Sequence, residues 1–280
     1  MPAPAVPRGS RDGAAEARVR KRSPWLWAAA LAAYAFLYLP LVIVVAYSFN
    51  DSRLNAEWGG FTLDWYRKLA ADQDMLAAAG NSLAIGAVAS LVSTILGTMA
   101  GIAMHRYRPR LLPILIFAPI AIPEILTGVS LLIFFVLLNF TLGLVSVALA
   151  HIAFCIGFVA IVVRARLAGM EETLTEAARD CGATPWKAFR YVTLPLIMPG
   201  VIAGALMAFT LSIDDFVITF FTAGAGTVTL PLLIYSMIKI AVTPEVNAVS
   251  TLLMLVTLVL IVIAAKLSPT LLRSERETSP

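Results

Sequence analysis

Apolar residues in this chain are gathered into long runs rather than thin stripes on polar helices. Crossing ~30 Å of hydrocarbon takes about 20 mainly apolar helical residues. Six runs meet that length, at 25–49, 81–104, 111–138, 143–163, 196–221 and 246–267. The pattern predicts an all-α integral membrane protein with six transmembrane helices. The third run is longer than a perpendicular helix needs, so tilt, or a break near Pro119 and Pro123, is expected. Between the first two runs, Phe61, Trp65 and Leu69 recur at i, i+4 and i+8 beside Arg67, Lys68, Asp72 and Asp74. That spacing predicts an amphipathic cap on the outer surface. Residues 231–240 are apolar but too short to cross, and Gly224 and Gly226 mark a turn before them. They belong at the outer interface or among the helices.

Composition agrees with a bilayer protein. Of 280 residues, 60% are hydrophobic and 14% charged, with mean hydropathy +0.87, whereas soluble domains carry about 25% charged residues. An ordinary soluble enzyme is excluded. The net charge of +4 is explained by topology rather than by nucleic acid, because cytoplasmic segments of membrane proteins are enriched in Lys and Arg. With the N terminus inside, 17 of the 21 basic residues fall in inside segments, leaving Arg53, Arg67, Lys68 and Lys239 outside. Both termini are therefore expected in the cytoplasm. Residues 1–24 read as a disordered basic tail, 25–267 as the membrane domain and 268–280 as a second cytoplasmic tail. The first apolar run exceeds the 7–15 residues of a signal h-region, so an uncleaved anchor is expected. Cys155 and Cys181 form neither a disulfide framework nor a C-x-x-C site.

The inside loop 164–195 has a readable local structure. Residues 171–181 favour helix, with Glu171, Glu172 and Glu176 near its start, where carboxylates complement the helix dipole. Gly182 suits the left-handed residue that ends a helix. Thr184 and Pro185 read as an N-cap and first residue of a second helix through Trp186, Phe189 and Val192. Small residues at Ala177, Ala178 and Gly182 let another surface approach closely. Glu176-Ala177-Ala178, three residues, Gly182, nine residues and Val192-Thr193-Leu194-Pro195 resemble the E-A-A-x3-G-x9-I-x-L-P motif of bacterial ABC importer permeases. Valine takes the isoleucine place. The resemblance implies a coupling helix that docks on a cytoplasmic ATPase through Glu176, Ala177, Ala178, Gly182, Thr184, Pro185, Leu194 and Pro195. The chain has no G-x-x-x-x-G-K-[ST], hence no backbone cradle for nucleotide phosphates. It is expected to be non-catalytic, with ATP and Mg on the partner ATPase and no cofactor of its own.

Ionisable groups inside the apolar runs are the candidate pathway residues, because an Asp at a helix centre costs about 2.5–3.5 kcal/mol on insertion scales. Asp214 and Asp215 lie in the fifth run and Glu124 follows Pro123 in the third. Adjacent helical residues point about 100° apart, so both Asp side chains cannot face one small ligand atom without distortion. Two roles stand open: drawing a cation through the pathway, or bonding backbone and basic groups at helix breaks. Phe216, Phe220 and Tyr235 either stack on a cation or fill the core. His105 and His151 lack metal-ligand spacing and read as satisfied interfacial histidines. Trp25, Trp27, Tyr34 and Tyr47 read as interface anchors, and Gly86, Gly97 and Gly101 as sites of close helix packing.

Ile122-Pro123-Glu124-Ile125, residues 209–220, residues 229–236 and Thr243-Pro244-Glu245 resemble the spermidine/putrescine branch of these permeases. That resemblance implies polyamine import in the bacterial inner membrane. It further implies a second related permease, two copies of an ATP-binding subunit and a periplasmic polyamine-binding protein, with no nucleic acid. Import of ferric ion or another solute is a competing reading, as is a cation-coupled secondary carrier. An intramembrane hydrolase finds no H-E-x-x-H or G-x-S-x-G here.

Overall fold

The computed structural model describes residues 24–52, 57–170, 173–241 and 243–267. The two expected tails, except for Pro24, lie outside the described residues, as do Arg53, Glu171 and Glu172. The described residues are almost entirely helical. In chain order the helices are α1 (Pro24–Tyr47), α2 (Asp64–Ala71), α3 (Gln73–Tyr107), α4 (Leu111–Ala121), α5 (Glu124–Leu137) and α6 (Leu144–Ala168). The chain continues with α7 (Thr173–Asp180), α8 (Pro185–Ala188), a π-helical turn (Phe189–Thr193), α9 (Leu194–Asp214), α10 (Val217–Thr222), α11 (Leu230–Ile240) and α12 (Pro244–Leu267). Five helices are long and apolar enough to cross a membrane, and α4 with α5 makes a sixth span bent by 109°.

Proline chemistry sets that bend. Pro123 has no N–H, and its ring forces the preceding residue out of the helical region, so Ile122 is extended at φ −87°, ψ 136°. Pro119 stays inside α4 and does not end it. The second span is longer than its apolar run because Asp72 caps it early, its side chain accepting from the N–H groups of Asp74 and Met75. At 35 residues α3 is about 50 Å long and extends beyond the hydrocarbon. The fifth span is shorter than its run, ending at Asp214 rather than 221.

The expected cap on the outer surface is real only in part. Trp65 and Leu69 lie on α2, but Phe61 precedes the helix, bridges antiparallel to Asn50 and stacks on Phe49 at 5.2 Å. Thr62 N–H bonds to Phe49 C=O, which holds this segment extended and takes Phe61 out of the helical face. Trp65 Nε1 donates to Asn50 C=O at 2.9 Å, and Leu69 is buried. Segment 231–240 packs among the helices. Ile234 of α11 shares a buried cluster with Leu69, Met75, Val246, Ala248 and Val249, so α2, α3, α11 and α12 meet there. Two polar ties fix α11 on α3: Asn81 Nδ2 donates to Val228 C=O, and Leu230 N–H to Ser82 Oγ, both at 2.9 Å.

Helix α6 is the centre of the bundle, and small residues let its neighbours reach it. A Cβ on Gly97 of α3 would lie 2.7 Å from Val159 Cβ, and one on Gly204 of α9 3.2 Å from Val159 Cγ1. Gly157 of α6 itself faces the C=O of Ile116 in α4. Val159, Val163, Phe154, Ile197 and Ile218 form the core around these contacts. In hydrocarbon such close approach replaces the hydrophobic effect as the source of helix association. Gly86 and Gly101 are likewise close to Ile213 and Ala160, as the sequence reading expects. Helix α1, by contrast, runs along α12 with its apolar side chains outward.

Gly97→Ala is therefore expected to destabilise the protein by about 1–3 kcal/mol through overpacking against Val159. Gly80→Ala, whose Cβ meets nothing within 4 Å, should be neutral or stabilising by up to about 1 kcal/mol. The midpoint of SDS-induced unfolding of the purified protein checks both; equal shifts would refute the packing account.

Candidate functional site

Two features are candidates: the loop that joins α6 to α9, and the break at the far end of α9. In the loop, α7 ends in a Schellman arrangement, with Gly182 N–H bonded to Arg179 C=O and Ala183 N–H to Ala178 C=O. Gly182 is left-handed at φ 86°, a conformation that glycine adopts without strain. Thr184 Oγ1 accepts from Lys187 N–H at 3.3 Å, with Pro185 the first residue of α8.

The second loop helix expected from the sequence is not a separate element. Residues 185–214 form one helical run, in which α8 passes through the π turn directly into α9. Leu194 N–H reaches back to Phe189 C=O. Pro195 explains the widened turn: it has no N–H to donate to Tyr191 C=O, and its ring would strike that carbonyl in a regular α-helix.

Of the loop residues the sequence points to, Glu176, Ala177, Gly182, Thr184, Pro185 and Pro195 are exposed, and Ala178 and Leu194 are half-buried. The same surface bears Leu174, Trp186 and Tyr191, with Trp186 69% and Tyr191 74% exposed. Between the loop and the ends of α3 and α6 lies an open pocket of about 250 Å³, lined by Ile102, His105, Leu167 and Phe189 and also by Glu176 and Pro185. The loop thus packs partly on its own bundle and leaves Trp186 and Tyr191 exposed.

At the other end of α9 the backbone leaves the helix. Asp214 is its last residue, Asp215 is extended at φ −68°, ψ 122°, and α10 starts at Val217. The two carboxylates have different surroundings. Asp214 is exposed. The Asp215 carboxylate is 7% exposed and accepts from Thr219 N–H at 2.8 Å, Ile218 N–H at 3.3 Å and Thr219 Oγ1 at 2.9 Å. It therefore caps the freed N–H groups of α10.

His151 completes this network and corrects the reading of it as an interfacial residue. It lies within α6, 3% exposed, with Nε2 3.1 Å from Asp215 Oδ2 and 2.9 Å from Thr219 Oγ1, and Nδ1 2.7 Å from Ser212 Oγ. An ionisable group in the middle of an apolar run requires a partner. That rule, applied to His151, is the signal by which the sequence could have revealed it.

The aromatic residues also converge. Phe216 lies 5.6 Å from Phe220 and 4.6 Å from Tyr235, and Lys239 Nζ sits 5.0 Å from the Tyr235 ring centroid. Phe220 and Tyr235 are exposed. The three rings form one aromatic cluster, and one ammonium, that of Lys239, lies on it. Glu124 opens α5, where a carboxylate offsets the positive end of the helix. It is exposed and stands outside the Asp215 network. The helices that follow the two breaks do pack together, with Gly128 of α5 against Phe221 and Ile218 of α10. Among the described residues no group of three or more His, Cys, Asp or Glu side chains is placed to hold a metal.

Residues 93–273 match the family described as binding-protein-dependent transport system inner membrane component. The chain is 42% identical over 243 residues to the putrescine transport system permease protein PotI of Escherichia coli strain K12, covering 83% of this chain and 86% of that protein. It is 41% identical over 218 residues to the spermidine/putrescine transport system permease protein PotC of the same strain, covering 77% and 83%. Among solved structures, a bacterial ABC transporter that imports the acidic polysaccharide alginate superposes with TM-score 0.67 at 16% identity, over 88% of this chain and 96% of that one. The MetNI methionine ABC transporter gives TM-score 0.61 at 22% identity, over 71% and 98%. These two likenesses carry the fold. The family match over more than half of the chain and the identity to PotI and PotC agree: the chain belongs to the binding-protein-dependent transport system inner membrane component family.

Proposed function

We propose that this chain is the permease subunit of an ATP-driven importer of polyamines, putrescine or spermidine, in the bacterial inner membrane. Identity above 40% along most of the chain to two polyamine permeases carries this reading. The exposed Asp214 and the aromatic cluster of Phe216, Phe220 and Tyr235 support it, since a polyamine offers ammonium groups to a carboxylate and aromatic faces. The chain forms half of the pathway; a second related permease forms the rest. One of two ATP-binding subunits docks on the α7–α8 loop and the pair hydrolyses ATP with Mg, while a periplasmic binding protein delivers the polyamine. Both termini then lie in the cytoplasm, on the side of the loop.

The continuity of α8 with α9 gives the coupling a mechanical form. Closure of the ATPase pair moves the outward face of Ala177, Gly182, Thr184, Pro185 and Trp186. A helix running unbroken from 185 to 214 carries that displacement to the break at 215. No side chain of this subunit performs chemistry in the cycle; it supplies a contact surface and half a path.

Two experiments follow. Reconstituted with its partner subunits and binding protein, the complex should take up putrescine or spermidine only with ATP, and Asp214→Asn should raise the substrate concentration for half-maximal uptake roughly tenfold. Uptake of ferric ion or sulfate instead would remove the polyamine assignment, and ATP-independent uptake would remove the importer reading. Gly182→Val places a β-branched side chain at positive φ on the docking face, at a cost of about 1–2 kcal/mol. It should cut ATP-driven uptake roughly tenfold or more; unchanged uptake would separate the loop from coupling.

A further inference from the structure

The Asp215 carboxylate is a poor candidate for contact with cargo, because it is buried and already bonded to its own protein. Thr219 N–H, Thr219 Oγ1 and His151 Nε2 all converge on Oδ2, and Ile218 N–H reaches Oδ1 at 3.3 Å. Asp214, one residue earlier, is exposed. The two carboxylates that look equivalent in the sequence are divided between structure and path.

We propose that His151 is a positioning residue of the transport path: with Ser212 and Thr219 it clamps Asp215 across the break in the fifth span, and this clamp turns Asp214 and Phe216 toward the cargo. Donor and acceptor counting supports the clamp. The Ser212 hydroxyl donates to Nδ1, which leaves the proton on Nε2 to reach Asp215 Oδ2 and Thr219 Oγ1, and the Thr219 hydroxyl donates to the carboxylate. The anchor is stiff. His151 sits on α6 between the fully buried Val147, Ala150 and Cys155, on the helix against which α3 and α9 pack most closely. Were the clamp absent, a regular helix through residue 215 would swing that side chain about 100° from its neighbour. The carboxylate would leave the N–H groups of α10, which in hydrocarbon have no water to replace it.

What the path carries rests on the proposed polyamine reading, whereas the clamp does not, and the test keeps the two apart. Thiol labelling of the whole complex, in a Cys181→Ser background, reads the geometry without any substrate. Asp214→Cys should react roughly tenfold or more faster than Ile218→Cys, whose position is fully buried. Adding His151→Leu should bring the two rates within about threefold. ATP-driven uptake supplies the second measurement. His151→Leu should weaken apparent polyamine affinity about as much as Asp214→Asn, and the double variant should be no worse than either, because His151 acts through Asp214. His151→Gln, which can still donate to Asp215 and accept from Ser212, should restore most of the loss. If His151→Leu does not accumulate, Ser212→Ala removes only the Nδ1 partner and should shift the labelling ratio in the same direction. An unchanged labelling ratio in whichever of these variants accumulates overturns the clamp, as do additive uptake losses. A changed ratio in a complex that carries some other solute sustains the clamp and removes only the polyamine reading.

Discussion

A backbone that stops being helical within a bilayer releases N–H and C=O groups that no water can take up. This constraint shapes the structure at both points where a span is broken. At Ile122–Pro123 the chain avoids part of the problem, since proline has no N–H to satisfy, and Ile122 N–H and Thr127 N–H still find the carbonyls of Ala118 and Pro123. At Asp215–Phe216 a side chain provides the solution. One carboxylate takes two freed N–H groups, and the burial of its charge is offset by a histidine and a threonine hydroxyl. Asp214, exposed just before that break, and Phe216, which meets Tyr235 just after it, flank the bonded carboxylate.

The rest of the bundle supplies stiffness to the same end. Glycines on α3, α6 and α9 bring helix backbones close around Val159, and Ser90 Oγ adds a bond to Ala205 C=O at 2.7 Å between α3 and α9. Interfaces packed this tightly have discrete arrangements rather than continuous deformation. The fifth span runs continuously from Pro185 in the loop to the break after Asp214, with α6 packed alongside.

Much of this was legible in the sequence, for physical reasons that can be stated residue by residue. Hydropathy placed the spans because the bilayer imposes a length. The Glu176–Pro195 spacing gave the loop because a Schellman glycine and a Thr-Pro start are local devices, set by φ and by missing N–H groups. Phe61 falls outside the helix because two backbone bonds, Thr62 N–H to Phe49 C=O and Asp51 N–H to Gly60 C=O, outweigh the i, i+4 pattern. The extra loop helix merged with the fifth span because the strain at Pro195 was relieved by widening one turn, a choice that spacing alone does not reveal.

By itself, then, the sequence determined that the chain crosses a membrane about six times, carries the helix–glycine-turn–helix start of the Glu176–Pro195 loop and places carboxylates inside its spans. Each of these depends on near neighbours in the chain or on bulk transfer free energy. Only the tertiary structure decided which carboxylate is exposed and which is bound, and gave His151 its place. Those outcomes depend on α6 bringing residue 151 within hydrogen-bonding distance of residues 212, 215 and 219, more than 60 positions away. A buried charge is settled by the partners that packing delivers, and no local pattern encodes them.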